Sequence, residues 1–332
     1  ENINMSLPPK EIPLGAMRFN SDSQKLEYFN GDIWMQVHTF SPNLDGGTRG
    51  IFAGGNPANN HIEYITIPIA SNAIDFGDLT RSDFRGGGGS SNTRGIFMGG
   101  GDPNRTNEID YITIAQKGNA LDFGDLPDVM GHGSGMSNQT RCIMNGGGNS
   151  GGVTNAMTYV TTASTGNAVD FGDMIEPQEH QAATQSPTRG IIAGGNPSTS
   201  QRLQFITMST LGNAQTFGEL IQIGDALMGG GSSSATRAIW AGGYSTGIEY
   251  STIATTGDAT DFGNLKVSRG SPYSSSDSIR SVVAGGNTSP SIVATIDYFM
   301  IATGGNALDF GDLTSADYNG YDSISSGHGG LG

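Results

Sequence analysis

Thr48-Arg-Gly-Ile-Phe-Ala-Gly-Gly55, Ile62-Glu-Tyr-Ile-Thr-Ile67 and Asn72-Ala-Ile-Asp-Phe-Gly-Asp-Leu79 are the three parts of one phrase, and the chain writes that phrase six times. The copies begin at Arg49, Arg94, Arg141, Arg189, Arg237 and Arg280, spaced 45, 47, 48, 48 and 43 residues apart. A period in this range marks a row or ring of like units, each too small to bury a core alone.

Each part reads as a short strand. Residues 49–55 are an apolar run stopped by paired glycines; 62–67 is rich in β-branched and aromatic side chains; 72–79 forms the third strand. A further Gly- and Ser-rich segment, such as 80–93, lies before the next Arg and suits a strand packed closely against neighbours. No apolar pattern of period 3.6 runs far enough for a helix. The expected fold is therefore all-β: a six-bladed β-propeller of four-stranded antiparallel blades. Six phrases need six inner strands, and five lie between copies. The sixth is expected from the tail, 314–326, closing the blade begun at Arg49. The domain reading is 1–39 for a small N-terminal β-hairpin module and 40–332 for the propeller.

Composition narrows the function classes. Glycine supplies 53 of 332 residues at fixed places in a regular pattern, which favours order. A formal charge of -15 argues against nucleic acid, whose phosphates draw clustered Lys and Arg. A single cysteine, Cys142, excludes a disulfide framework and stands where other copies carry Gly50, Gly95, Gly190, Ala238 and Ser281, so it reads as a small packed residue. No apolar stretch approaches the roughly 18 residues of a membrane span, and the opening residues lack a leader pattern, so no membrane insertion is expected.

The recurring charges read as scaffold. Asp75, Asp122, Asp170, Asp261 and Asp309 recur, with Thr216 the exception, and a second series stands three residues on at Asp78, Asp125, Asp173, Glu219 and Asp312, with Asn264 the exception. Such pairs would suit calcium, but no Asp-x-Asp-x-Asp-Gly loop accompanies them. The favoured expectation is that these acids satisfy turn amides or pair with Arg49, Arg94, Arg141, Arg189, Arg237 and Arg280, within or between blades. His132 and His180 share a repeat position with Arg85, Ala226, Ser271 and Asn319, expected near the central channel. A metal held by two histidines lacks a third ligand in the sequence, and no metal or cofactor is expected. Hydrolase, metalloprotease and P-loop signatures are absent, so neither catalytic residues nor an enzyme are expected.

Comparing the six copies separates constant turns from variable ones. Turns such as 92–94 and 118–119 barely change, whereas the loops 56–61, 102–107, 149–155, 196–202, 244–247 and 287–292 differ, as do the approaches to the inner strands. Strand alternation puts both variable sets on one face. That face, with Asn59, Asn60, His61, Asn104, Arg105, Asn149, Asn155, Arg202 and Tyr244, is the expected binding surface for a glycan or protein.

The paired glycines, Gly54-Gly55 through Gly285-Gly286, resemble the double-glycine mark of kelch propellers over about 280 residues, with Phe76, Phe123, Phe171, Phe217, Phe262 and Phe310 where kelch blades carry Trp. The run Gly15-Ala-Met-Arg-Phe-Asn-Ser-Asp-Ser-Gln-Lys-Leu-Glu-Tyr-Phe-Asn-Gly-Asp-Ile-Trp34 resembles a small β module of bacteriophage tail fibres, and the Gly-Asn-Ala-x-Asp-Phe-Gly-Asp-Leu phrases are similar to repeats in structural proteins of marine phages. These resemblances imply a virion or tail-fibre protein, extracellular when displayed, whose partners are a host-surface glycan or protein, other virion proteins through the N-terminal module, and further copies of itself in a homo-oligomer. The alternatives are a purely structural virion decoration or connector, or a polysaccharide depolymerase using acids such as Asp102, Glu176 or Glu179.

Overall fold

The computed structural model describes residues 12–20, 25–36, 48–83, 85–101, 104–196, 201–221, 231–288, 290–316 and 322–331. Asp102, Ala226 and Asn319 lie outside them. The chain divides into two compact units, 1–42 and 43–332. In the first, Met17–Asn20, Lys25–Phe29 and Trp34–Gln36 form a three-stranded antiparallel sheet. Asn30 makes the turn between the last two strands, its Oδ1 accepting from the amides of Asp32 and Ile33. Phe29 packs on Trp34, and Arg18 lies 4.2 Å over the Trp34 ring while pairing with the buried carboxylate of Glu27. Met17, Phe19, Tyr28 and Met35 are left exposed.

The second unit holds six four-stranded antiparallel sheets in a propeller-like arrangement. In blade two, Gly87–Ser90, Arg94–Met98, Thr106–Thr113 and Leu121–Met130 lie side by side in chain order. Blade one takes its inner strand, Ser323–Ser325, from the tail; it pairs with Arg49–Ala53, so the two ends of this unit meet in one sheet. The six inner strands adjoin one another in a closed cycle. They are shorter than the segments that carry them, because the outer strand continues past its Leu to Asp83 in blade one and Met130 in blade two. Neighbouring inner strands approach so closely that a Cβ on Gly135 would sit against the Gly88 carbonyl, which explains the Gly and Ser composition of these strands.

The hydrophobic core lies between blades. Ile96, Met98, Ile109 and Phe123 of blade two pack with Cys142, Met144 and Val160 of blade three, and five equivalent clusters complete the cycle. In each outer strand the register shifts at the Phe of Asp-Phe-Gly, as between Asp122 and Gly124, a bulge that turns Phe123 inward. The ring of Phe123 then meets Tyr111 edge-on, and the equivalent pairs are spaced 5.8–6.1 Å in all six blades.

The recurring arginines join blades, but through other partners than the expected acids. Each guanidinium lies 4.4–4.9 Å over the third-strand aromatic of its own blade, Tyr64, Tyr111, Tyr159, Phe205, Tyr250 or Tyr298. Each then donates to a carbonyl of the next blade: Arg49 to Ile114, Arg94 to Thr162, Arg141 to Met208, Arg189 to Ile253, Arg237 to Ile301 and Arg280 to Ile67, at 2.7–3.0 Å. Asp75, Asp122, Asp170, Asp261 and Asp309 instead stand exposed on the outer strands; Asp309 pairs with Lys266 at 2.8 Å. The expected Arg–Asp pairs fail because the guanidinium is occupied by a ring face and a buried carbonyl while the carboxylates face water.

Two further ladders seal the blades. The turn of each Asn-Ala segment covers the outer edge of the preceding blade: Gly118 donates to Phe76, Ala120 to Asp78, and Asn119 Oδ1 accepts from the Asp78 amide. No outer edge is therefore left free to pair with another chain at this point. Gly124, at φ 148°, admits this approach, since its Cβ would overlap Gly166 of the next blade. The second ladder uses the polar residue of the third strand, a position the sequence reading did not single out. Asp110, Gln204, Glu249, Asp297 and Glu63 each accept from the amide after the closing Leu or Met of the preceding blade, at Thr80, Ile175, Ile221, Lys266 and Thr314. In the sixth case the residue after Leu126 is Pro127, which has no amide proton, and its counterpart is Thr158, whose hydroxyl makes no hydrogen bond.

The channel is stopped at one end by a short 3-10 turn, Gly329–Leu331, and by the buried His328. His328 Nδ1 accepts from the Gly330 amide and faces the Gln185 amide nitrogen, so Nε2 carries the proton toward the Ser90 carbonyl and lies 3.1 Å from Ser137 Oγ. A second proton at Nδ1 would meet two donors, and burial pushes the imidazole pKa down to about 4.

Two outcomes are expected. Asp110→Val removes the acceptor of the Thr80 amide and hydroxyl and one of the two carboxylates that Arg81 meets at 3.3 Å, Glu108 remaining, and should cost about 1–3 kcal/mol in urea unfolding. Thr158→Val removes a hydroxyl that has no partner and should be within about 1 kcal/mol of the parent; equal losses would contradict the amide–acceptor ladder. For His328, the unfolded chain binds a proton below its ordinary value of 6.5 that the folded chain refuses until about pH 4. Stability is thus full above pH 6.5 and falls as pH drops toward 4, by on the order of 3 kcal/mol for one such group. His328→Gln should show a shallower fall over the same range, and an unchanged slope would remove His328 from this role.

Candidate functional site

Blade three breaks the sixfold pattern. Its second strand runs on from Arg141 to Asn149 and returns as Gly152–Thr161, with Asn149 paired to Gly152, whereas the equivalent strands of the other five blades stop at the Ala or Met before the paired glycines. This hairpin carries Asn149 and Ser150 toward blade two, where Arg105 donates to the Asn149 carbonyl at 2.9 Å. Gly131 and Gly148 bond to each other in both directions, and Ser150 Oγ donates to Asp128. The result is a polar cleft lined by Gly101, Asn104, Arg105, Val129, His132, Asn149 and Ser150. Both variable sets of connections contribute to it.

His132 stands at one wall of the cleft, and behind it the approaches to three successive inner strands are tied together. The His132 amide donates to the Arg85 carbonyl and the His180 amide to the His132 carbonyl. Arg85, His132 and His180 share positive φ angles of 62–69°, which turn their side chains alike. The backbone of Glu179 is held by reciprocal bonds with Asn196. These restraints bring the His132 and His180 rings to 4.7 Å and place Glu179 beside both, Oε2 at 3.4 Å from His132 Nδ1 and Oε1 at 3.7 Å from His180 Nε2. Arg85 Nη1 lies 3.3 Å from His132 Nε2.

The charges are set by this crowding. His132 beside it, then the charges of His180, His132 and Arg105, hold the Glu179 carboxyl below its usual range against the opposing effect of burial. Burial, and after it the neighbouring His132, push His180 down to about 4. At neutral pH the group is an ionised carboxylate between imidazoles, with two guanidinium ions nearby. In a chain of net charge -15, Arg85 and Arg105 place two guanidinium ions at this one point.

Of the residues expected on the binding face, the structure gathers Asn104, Arg105 and Asn149 into the cleft. Asn59, Asn60 and His61 lie on blade one, where Asn59 caps the His61 amide and His61 stands 3.7 Å from Asp78. Asn155 donates to the Met174 carbonyl, Arg202 pairs with Glu176 at 2.7 Å, and Tyr244 lies over Gly270. Of the acids weighed for hydrolysis, Glu176 is thus paired with Arg202 and Glu179 with the histidines. The third member of the His132–His180 cluster was missed in the sequence because Glu179 sits one residue before the repeat position, where His132 is preceded by Gly131 and only the copy with Asp225 also has an acid. The adjacent Glu-His pair in the blade next to His132 was the available signal. Cys142 is fully buried in the core, and burial raises its thiol pKa.

No protein-family model matches this chain, and no curated protein is similar enough to be counted a relative.

Proposed function

We propose that the chain is a non-enzymatic display protein whose propeller head binds an anionic surface glycan through the cleft around Arg105. The observation that carries this reading is the asymmetry of one face: the inter-blade ladders repeat around the ring, while the Asn149–Ser150 hairpin, the guanidinium ions of Arg85 and Arg105 and the paired rings of His132 and His180 occur at one place. Repeated contacts serve the scaffold; a single polar cleft with amide, hydroxyl and guanidinium donors suits a carbohydrate carrying carboxylate or sulfate. The acidic remainder of the surface repels such a polymer elsewhere and concentrates its contacts at the cleft.

The setting we propose is a virion appendage, following the resemblance of residues 15–34 to a tail-fibre module. The exposed apolar side chains of Met17, Phe19, Tyr28 and Met35 in that small sheet support an attaching role, since a three-stranded sheet is marginal without a partner.

Labelled full-length chain, titrated onto acidic and neutral bacterial polysaccharides with polymer length followed in the same samples, tests the reading. Selective binding to acidic polymers without shortening is expected, with Arg105→Ala weakening it at least tenfold and Asn59→Ala leaving it unchanged. Binding that ignores Arg105, or shortening of the polymer, would overturn the proposal, the latter in favour of hydrolysis.

A further inference from the structure

His132, Glu179 and His180 offer one ligand atom each, and the three atoms lie within 4.8 Å of one another. Two of the separations, 3.4 Å and 3.7 Å, are already close to the edge of a tetrahedron about a zinc-sized ion, roughly 3.3 Å for metal–ligand bonds near 2.0 Å. His132 Nδ1 is buried and makes no hydrogen bond, although it faces a carboxylate. A buried nitrogen with an idle lone pair or proton is costly, and a cation between it and Glu179 would relieve that cost.

We propose that His132, His180 and Glu179 hold one divalent transition-metal ion of the zinc class, with its remaining position open toward the cleft. Two imidazoles and one carboxylate form a nitrogen-rich set that suits zinc, cobalt or nickel and disfavours calcium and magnesium, which take oxygen ligands. The backbone restraints on all three residues position the ligands before the ion arrives, since His180 is bonded to His132 and Glu179 to Asn196 through main-chain groups.

Arg85 opposes the ion. With Nδ1 of His132 on the metal, Nε2 carries a proton and faces the Arg85 guanidinium at 3.3 Å, donor against donor. Loading therefore requires that guanidinium to swing away from the ring. Arg85 thus tunes affinity from outside the ligand set, and its removal should tighten binding. That opposite sign separates a metal site from a mere hydrogen-bonded string running Arg85–His132–Glu179–His180, in which losing Arg85 has no reason to favour a cation.

The test uses full-length chain stripped with chelator and titrated by calorimetry with zinc chloride alone, with cobalt chloride followed by its visible absorption. No glycan is present, so the outcome is independent of the function proposed above. One zinc per chain is expected, together with the intense visible bands of tetrahedral or five-coordinate cobalt, and no comparable binding of calcium or magnesium. His132→Ala, His180→Ala and Glu179→Gln should each weaken zinc at least tenfold, and Arg85→Ala should strengthen it severalfold. Should a histidine variant fail to fold, as a melt without metal will reveal, Glu179→Gln and Arg85→Ala still decide the matter. Zinc affinity unchanged by Glu179→Gln and Arg85→Ala, or no stoichiometric zinc on the parent chain, would overturn the assignment.

Discussion

Every hydrophobic cluster in this ring lies between two blades, and that constraint governs the rest of the molecule. A single four-stranded sheet here has no core of its own; Phe123 and Ile96 are buried because blade three supplies Cys142, Met144 and Val160. The free energy of burial is therefore collected at interfaces, and each blade depends on both neighbours. Blade one finds its second neighbour in blade six through Phe52, Ile65, Tyr273 and Phe310, and its inner strand in Ser323–Ser325, so stability depends on joining distant parts of the chain.

The repeated phrase follows from that constraint. Arg94 reaches over Tyr111 to a carbonyl of blade three, Tyr111 meets Phe123 edge-on, and Asn119 covers the edge of blade one. The recurring Arg, Tyr, Phe and Asn of the phrase thus each make a contact that repeats from blade to blade, while the recurring Asp of Asp-Phe-Gly stands in water. Asp110 and its equivalents satisfy an amide that the edge of the preceding blade leaves without a strand partner, and the coincidence of Pro127 with Thr158 shows two positions 31 residues apart varying together because they meet across an interface. Buried acids persist here because each accepts from an amide; Asp297 has in addition Arg269 at 2.9 Å.

With the scaffold fixed six times over, departures from the pattern stand out. Blade three lengthens a hairpin, and the approaches to blades three and four bring His132, Glu179 and His180 together. The left-handed backbone at His132 and His180 is the same as that at Arg85, so the scaffold supplies the geometry and the side chains at one sector supply the chemistry. A cleft with cations on an acidic chain and a set of metal-type ligands at its wall share that sector.

The sequence by itself determined the strands, their order and the ring-like closure, because period, paired glycines and alternation are local signals repeated six times, and repetition makes a weak signal strong. It also marked His132 and His180 as equivalent and placed Asn104, Arg105 and Asn149 on the variable face. Tertiary structure decided the partners. The recurring arginines chose rings and carbonyls over carboxylates, since a guanidinium two strands from an exposed Asp gains more from a carbonyl of the next blade than from a charge in water. Glu179 joined the histidines for a similar reason: ligand sets are made across blade boundaries, where residues 47 or 48 positions apart come within a few ångströms, and no local pattern records which of them will face each other.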